Sequence, residues 1–401
     1  MRAHLAMARP RIRLAIIVSH PIQYYTPLYK RLACRDDLSV KVFFTWHVGQ
    51  AAVEDRGFRT SVAWDIPLTE GYEFEQVPNV SSDPGTHHFF GLRNPSLIER
   101  VKAWNPDMVL ITGWAWQSHL LAMHAFHRMG IQVLFRGDSH LLDSVPRGAR
   151  WRLKHAILKR VFSWPSGFLV VGTANRAYYE AFDVASERLI SCTHSIDVAR
   201  FAQPTDRYEE EAILLRRQLD ILDDKRVLLF AGKFESKKRP VELMRTVQAI
   251  SAPSLLLIMV GSGELDVEVK AIAAADPARF RVLPFQNQSR MPVVYRLGDL
   301  FILPSAFGET WGIAVNEAMG CGRPVLVSDR VGCATDVVDA TCGRVFSWAD
   351  SSSLPRALSE MTRDRVILSA MGRSAAKRAW SFDIARTEKE LMKCIHEMCD
   401  R

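Results

Sequence analysis

The sequence predicts an α/β protein with two doubly wound domains, on the basis of its length and its hydrophobic pattern. The chain has 401 residues, more than one hydrophobic core usually organises, so two domains of roughly 180 to 200 residues are expected. Short apolar runs recur between longer segments of helical periodicity, and such runs are typical of parallel strands buried on both faces. They form two series, at 14–19, 40–44, 108–112, 132–136 and 167–172, and then at 227–233, 254–264, 280–285, 299–305 and 324–329.

A change in composition marks the domain boundary. Residues 202–225 are polar and charged, and they separate the two series of apolar runs. Gln203-Pro204-Thr205 reads as a linker. We therefore predict an N-terminal domain over 1–203, a C-terminal domain over 204–379, and within 380–401 an amphipathic helix that packs back across the junction onto the N-terminal domain.

Charge narrows the class of ligand. Lys and Arg total 52 against 44 Asp and Glu, a formal net charge of +8. Such an excess favours phosphorylated ligands or anionic surfaces. No zinc-finger or RNP-type motif gathers this charge into a recognition module, so nucleic acid is not an expected partner.

The cysteines and the N-terminal segment indicate the compartment. The 7 cysteines show no C-x-x-C pair, which indicates reduced thiols in a cytoplasmic protein. Residues 1–13 are basic, but the apolar run 14–18 is too short for a signal peptide and predicts a first core strand. No run approaches the ~18 apolar residues of a membrane-spanning helix.

A basic amphipathic segment lies at Trp151 to Phe162, where Arg152, Lys154, Lys159 and Arg160 alternate with apolar residues. Such a helix can lie on an anionic membrane surface. It can equally face the core with its charges in solvent. Cytoplasmic location with peripheral membrane contact is therefore an open alternative.

The most informative segment is 304–324, PSAFGETWGIAVNEAMGCGRP, which predicts strand, loop, helix, turn and strand. Its glycines allow a ligand close to the backbone, and the amides of Thr310, Trp311, Gly312 and Ile313 open a helix whose positive end suits a diphosphate. Glu309 precedes that helix and Glu317 lies within it, so both carboxylates can accept hydrogen bonds from sugar hydroxyls. The alternative is an ordinary helix with one glutamate favouring the dipole and one in solvent.

A second candidate element is 229–240, LFAGKFESKKRP, where a strand ends in a glycine and a group of cations. Lys233 and Lys238 can both reach a diphosphate and stabilise the charge that grows on it as a sugar departs. The alternative is a solvated basic turn.

Together these two elements resemble family 4 glycosyltransferases of the GT-B fold. That family joins a G-[RK]-x-x-x-x-K turn to a loop of the form PS-x-x-E-x-x-G-x-x-x-x-E-A-M-A-x-G-x-P-V. The sequence matches this pattern, in order along the chain, at Gly232, Lys233, Lys238, Pro304, Ser305, Glu309, Gly312, Glu317, Ala318, Met319, Gly322, Pro324 and Val325. The resemblance implies two facing Rossmann-like domains and a retaining transfer from a nucleotide sugar, such as a UDP- or GDP-sugar, to a polysaccharide, glycolipid or related acceptor.

By this resemblance Lys233 and Lys238 grip the diphosphate, Glu317 the ribose and Glu309 the donor sugar. Residues 310–313 supply backbone amides, and Gln286 lies near the nucleobase. Lys233 replaces the more common arginine and loses its bidentate geometry. No Asp-x-Asp turn lies between strands, so no metal is expected.

The N-terminal half should hold the acceptor. His20 lies on the loop after the first strand, where it can face the cleft or cap the next helix. Asp138 and His140 follow a later strand, and the family often has an acid or a histidine near this point. Three further histidines, His119, His124 and His127, are expected on a wet helix face.

Two other functions remain open. A nucleotide-sugar epimerase shares the two-domain architecture but needs carboxylates placed for proton transfer at the sugar. A catalytically silent sugar-nucleotide-binding protein would keep the binding residues and lose turnover.

Overall fold

The computed structural model describes residues 11–48, 53–55, 57–143 and 148–400. Its first sheet is parallel and has seven strands in the order β5-β2-β1-β6-β7-β8-β9. Most of the basic start, residues 1–10, lies outside the described residues. The strands of this sheet are β1 (Ile12–Val18), β2 (Leu38–Phe44), β5 (Glu73–Gln76), β6 (Met108–Thr112), β7 (Gln132–Arg136), β8 (Gly167–Val170) and β9 (Leu189–Ser191), and a separate antiparallel hairpin is formed by β3 (Val53–Asp55) and β4 (Thr60–Val62).

The second sheet is also parallel and has six strands in the order β12-β11-β10-β13-β14-β15. Both sheets confirm the predicted doubly wound α/β architecture, and every apolar run named from the sequence forms a strand. Its strands are β10 (Arg226–Ala231), β11 (Leu255–Val260), β12 (Phe280–Leu283), β13 (Leu300–Leu303), β14 (Val325–Ser328) and β15 (Gly343–Phe346).

Helices cover both faces of each sheet. In β1, Ala15 and Ile17 pack on one side, and Leu14, Ile16 and Val18 on the other, because successive side chains of a strand point to opposite faces. The helices are α1 (Thr26–Ala33), α2 (Leu97–Ala103), α3 (Gln117–Arg128), α4 (Gly148–Val161), α5 (Thr173–Glu180), α6 (Val198–Ala202), α7 (Thr205–Gln218), α8 (Pro240–Ala249), α9 (Asp266–Ala275), α10 (Met291–Arg296), α11 (Ile313–Gly320), α12 (Ala334–Val337), α13 (Ser353–Met361), α14 (Arg365–Ala379) and α15 (Ile384–Cys399).

The C-terminal helix α15 packs on the first domain. Its Ile384, Leu391 and Ile395 share one apolar cluster with strand β1 and helix α1. An isolated parallel bridge joins Ile196 to Asp383, just before α15 begins. This is the return across the junction that the sequence predicts, while the exact domain limits at 203 and 379 stay a prediction.

Helix α3 departs from the expectation of a wet histidine face. His119 is 0% exposed, so the expectation is wrong at this position. Its Nδ1 donates to the Thr112 carbonyl at 2.9 Å, and its Nε2 lies 2.9 Å from the Thr45 hydroxyl. Both ring nitrogens therefore tie α3 to the ends of β6 and β2, and burial lowers the pKa of His119 to about 4.

The basic segment on α4 has features of both predictions made from the sequence, a helix that faces the core and a helix with an exposed apolar surface. Leu158 and Val161 are buried in the core of the first domain, whereas Leu153 is 65% and Ile157 50% exposed. Among the described residues, no helix has both the length and the apolar character needed to cross a membrane.

Candidate functional site

A cavity of about 330 Å³ lies between the two domains, at the carboxyl edges of their sheets. Ligands of doubly wound sheets bind at this edge, because the loops that follow the strands converge there. The cavity is lined by Gln23, Tyr24, Phe58, Trp64, Asp138 and His194 of the first domain and, among others from the second, by Lys233, Lys238, Phe285, Gln286, Glu309, Thr310, Trp311, Gly312, Ile313 and Glu317.

The loop from Glu309 to Gly312 presents the start of helix α11 to this cavity. Gly312 has φ +93°, and a Cβ there would lie 2.9 Å from Val331 and 3.0 Å from Leu303, so only glycine fits. Helix α11 then begins at Ile313, and among the described residues no side chain caps its first amides. Free amides at a helix N-terminus form an anion site.

Glu309 and Lys238 form an ion pair across the cavity. The Lys238 ammonium donates to Glu309 Oε2, and the Ser305 hydroxyl donates to the same oxygen at 3.0 Å. Burial acts to raise the pKa of Glu309, but the charge of Lys238 and these hydrogen bonds outweigh it and lower the pKa. Their side chains are 16% and 15% exposed, so the alternative of a solvated basic turn is wrong for Lys238.

Glu317 lies deeper in the cavity, on the second turn of α11. It is 8% exposed, so the alternative of a solvated glutamate is wrong. The Tyr295 hydroxyl donates to Glu317 Oε2 at 2.6 Å. Burial raises the pKa of Glu317 despite this hydrogen bond.

Lys233 points toward the first domain. Its Nζ lies 2.8 and 3.1 Å from the two carboxylate oxygens of Asp55, which ends strand β3. It also lies 4.9 Å above the Phe58 ring. Both candidate phosphate-binding lysines are thus paired with carboxylates, and Lys233 joins the domains.

The first-domain candidates separate into two groups. Asp138 lines the cavity, and its Oδ2 accepts a hydrogen bond from the Thr310 hydroxyl at 2.8 Å. His140 lies behind the loop, where its Nε2 is 3.3 Å from the Glu309 carbonyl and its Nδ1 accepts from the Leu142 amide. It therefore supports the backbone of that loop, and it does not line the cavity.

His20 does not line the cavity either. Its Nδ1 lies 2.9 Å from the Ser19 hydroxyl, and its ring contacts those of Trp46 and His47. Burial and His47 lower the pKa of His20 to about 4. The helix-capping alternative is also wrong, because no side chain caps α1.

Several cavity residues have no counterpart in the sequence prediction. His194 is 2% exposed and stacks on Tyr25 at 5.8 Å, and its Nδ1 has no hydrogen-bond partner among the described residues. Burial and the charge of Arg136 hold its pKa well below the ordinary value. Phe58, Trp64 and Tyr295 gave no signal in the sequence.

Comparison with known proteins finds a family match in the second half of the chain. Residues 212–378 match the family model described as "Glycosyl transferases group 1". D-inositol 3-phosphate glycosyltransferase of Salinispora tropica is 29% identical over 57% of this chain, and that of Actinosynnema mirum is 30% identical over 51%. The chain spans about half the length of these curated relatives, 50% and 51%.

Solved structures are similar over nearly the whole chain. Sucrose-phosphate synthase of Thermosynechococcus elongatus has a TM-score of 0.73 at 15% identity and covers 97% of this chain and 100% of its own. Anabaena HepE in complex with UDP and glucose has a TM-score of 0.71 at 16% identity, with 96% and 100% covered. The chain therefore has the GT-B fold of these solved structures, and its residues 212–378 match the glycosyl transferases group 1 family model.

Proposed function

We propose that the chain is a retaining, metal-independent transferase of family 4 that moves a sugar from a nucleoside diphosphate to a sugar or lipid-linked acceptor. The observation that carries this proposal is the convergence of a helix N-terminus, two lysines and two buried carboxylates on one cavity. Together they match the parts of a nucleotide sugar. The similarity to a structure in complex with UDP and glucose supports UDP as the first nucleotide to test.

The proposal assigns each of these groups to one part of the donor. Phe285 and Gln286 line the cavity and are assigned to the nucleobase, and the Glu317 carboxylate can accept from ribose hydroxyls. The diphosphate then meets the N-terminus of α11 and the two lysines. Glu309 is left for the hydroxyls of the donor sugar.

In the proposed transfer the bond between the anomeric carbon and the diphosphate oxygen breaks. The acceptor oxygen bonds to the same face of that carbon, and its proton passes to the departing phosphate oxygen. Negative charge grows on the diphosphate meanwhile, and Lys233, Lys238 and the α11 amides are placed to stabilise it. The lowered pKa of Glu309 keeps it ionised as an acceptor at neutral pH.

The acceptor enters from the first domain. Tyr24, Asp138 and His194 line that side of the cavity. His194 remains neutral at physiological pH because its pKa is lowered, so its ring can exchange hydrogen bonds with an acceptor hydroxyl without adding charge.

Nucleotide binding tests the donor site. We expect UDP, GDP or ADP to bind the wild-type protein in isothermal titration with EDTA present. Lys238→Ala and Glu317→Ala should each weaken the selected nucleotide by about 10- to 100-fold, since each removes a charged hydrogen-bonding partner. Lys237→Ala is the matched control, because Lys237 pairs with Glu235 and does not line the cavity.

The outcomes separate the candidate functions. Loss of binding on addition of EDTA would contradict metal independence. Equal affinity in wild type, Lys238→Ala and Glu317→Ala would contradict the donor site. Turnover of a UDP-sugar to its epimer without an acceptor would favour the epimerase, and tight binding without any turnover the silent binding protein.

Helix α4 supports a peripheral contact with an anionic membrane as part of this proposal. Leu153 and Ile157 lie one turn apart and are both largely exposed. The flanking Arg152, Lys154 and Arg160 are exposed as well. Apolar side chains framed by cations are the pattern of an interfacial helix, which would bring the cavity close to a lipid-linked acceptor.

A further inference from the structure

An arm of the first domain reaches across to the second domain beside the cavity. The arm comprises Asp55 and residues 57–65, which include strand β4. The Ser262 hydroxyl donates to the Phe58 carbonyl at 2.8 Å, and the Asn287 side-chain amide donates to the Ala63 carbonyl at 2.6 Å. The arm is therefore held along the second domain by hydrogen bonds at both of its ends.

The arm places two aromatic rings beside Phe285, which the proposed function assigns to the nucleobase. The Phe58 ring lies 4.7 Å from the Phe285 ring, and the Trp64 ring lies 6.3 Å from it. All three rings line the cavity. Stacking on an aromatic ring suits every base, because each base has a π-face.

The arm also carries the carboxylate that occupies Lys233. Asp55 Oδ1 accepts from the amides of Gly57 at 2.8 Å and Phe58 at 3.0 Å, so the turn fixes its direction. A Cβ on Gly57 would lie 2.5 Å from both the Glu235 carboxylate and the Lys233 side chain. The arm thus packs against the very lysine that the proposed function assigns to the diphosphate.

We propose that this arm gates the donor site, with Asp55 holding Lys233 until the donor's diphosphate displaces it and with Phe58 packing on the nucleobase. The inference rests on the proposed function and adds a first-domain element to the donor site. A lysine has three donors on one point charge, so it cannot neutralise a carboxylate and a diphosphate equally. Donor binding therefore breaks one contact between the domains and makes another.

Asp55→Asn tests the counter-ion. Asparagine keeps a side-chain oxygen that accepts from the Gly57 and Phe58 amides, so the turn is retained while the charge is lost. We expect UDP to bind about two- to tenfold more tightly than to wild type, because the Asp55 and Lys233 side chains are 29% and 30% exposed and such pairs are worth ~1 kcal/mol. Uridine, which has no phosphate, should bind wild type and variant equally.

Phe58→Ala tests the aromatic contact. Loss of one stacking ring should weaken both uridine and UDP by about tenfold. Asp36→Asn is the matched control for charge, since Asp36 is fully exposed before β2 and does not line the cavity. Its affinity for UDP should equal that of wild type.

The affinities are measured by isothermal titration at low salt. Uridine is titrated first, and UDP is then titrated in competition with the bound uridine. Unchanged or weaker UDP binding by Asp55→Asn, and by a second variant Asp55→Ser, would overturn the proposal that Asp55 holds Lys233 until the diphosphate displaces it. Unchanged uridine binding by Phe58→Ala would overturn the stacking contact. If UDP, GDP and ADP all fail to bind wild type, the donor site itself is refuted and the gate with it.

Discussion

The buried pair between Lys238 and Glu309 makes a stability prediction that is independent of turnover. Replacing Lys238 by methionine keeps most of the side-chain volume but leaves the Ser305 hydroxyl, at 3.0 Å, as the remaining side-chain donor to the Glu309 carboxylate among the described residues. Breaking a buried ion pair from one side costs about 3–5 kcal/mol. The Lys238 and Glu309 side chains are still 16% and 15% exposed. We therefore expect Lys238→Met to lower the free energy of unfolding by about 2–3 kcal/mol.

The double variant Lys238→Met with Glu309→Gln removes both charges together. Replacing both members of a buried pair by neutral groups of similar volume is often close to neutral. We therefore expect its free energy of unfolding to lie within about 1 kcal/mol of wild type, with a coupling energy of about 2 kcal/mol between the sites. Both variants should bind the donor more weakly than wild type.

Urea unfolding followed by tryptophan fluorescence measures these free energies. Repeating it at several pH values tests the direction in which stability changes with pH. In wild type the pKa of Glu309 is lowered, so the stability from this group is present above the ordinary glutamate value and is lost as the pH falls through the lowered value. Without Lys238, burial should outweigh the remaining hydrogen bond from Ser305 and raise the pKa of Glu309, so the variant should lose stability as the pH rises. The difference between wild type and Lys238→Met should grow from pH 4 to pH 7.

Two results would refute this reasoning. Additive effects in the double variant would mean that the two charges do not stabilise each other. A difference that stays constant with pH would mean that methionine acts through packing alone. Lys237→Met controls for the loss of one lysine, because the Lys237 side chain is 37% exposed and should change stability by less than about 0.5 kcal/mol.

Three further predictions concern other parts of the molecule. Tyr295→Phe should lower the free energy of unfolding by about 2 kcal/mol at pH 8. In a Glu317→Gln background, where the acceptor is neutral, the loss should be about 1 kcal/mol. Equal losses in the two backgrounds, measured by urea titration, would contradict a hydrogen bond to a charged acceptor. The pKa of buried His119 lies at about 4 against 6.5, so wild type should lose up to about 3 kcal/mol as the pH falls from 6.5 to 4, and His119→Asn should remove that part of the loss. Serine at both Leu153 and Ile157 should weaken binding to phosphatidylglycerol vesicles in sedimentation by at least about tenfold, while Val267→Ser on α9 should not.

The fold could be predicted because its main strands are local features of the sequence. A run such as Met108 to Ile111 is apolar throughout, since helices cover both faces of the sheet. Strands β5, β9 and β15 were missed because they are short, at four, three and four residues, and partly polar. Their pairing is decided by the neighbouring strand rather than by their own pattern.

The donor side of the site could be predicted for the same reason, since Glu309 to Glu317 is one continuous loop and helix. The partners of its charges could not. Asp55 lies 178 residues before Lys233, and Tyr295 lies 22 residues before Glu317 on another helix. His20 follows the right strand, yet its ring turns to Trp46 and His47. Strand order locates a loop at the cleft but does not fix the direction of a side chain.

Three of the first-domain carboxylates that contact the second domain are not equivalent. Asp138 accepts from the Thr310 hydroxyl at 2.8 Å, and Asp143 accepts from the Gly308 amide at 2.7 Å. Asp55 alone among these three contacts a lysine that the proposed function assigns to the diphosphate. A donor would therefore exchange the Asp55 contact for its own phosphate oxygens while the hydroxyl and amide contacts can persist. Because a dianion binds a lysine more strongly than a single carboxylate does, donor occupancy would release Lys233 from Asp55 without opening the rest of the cleft.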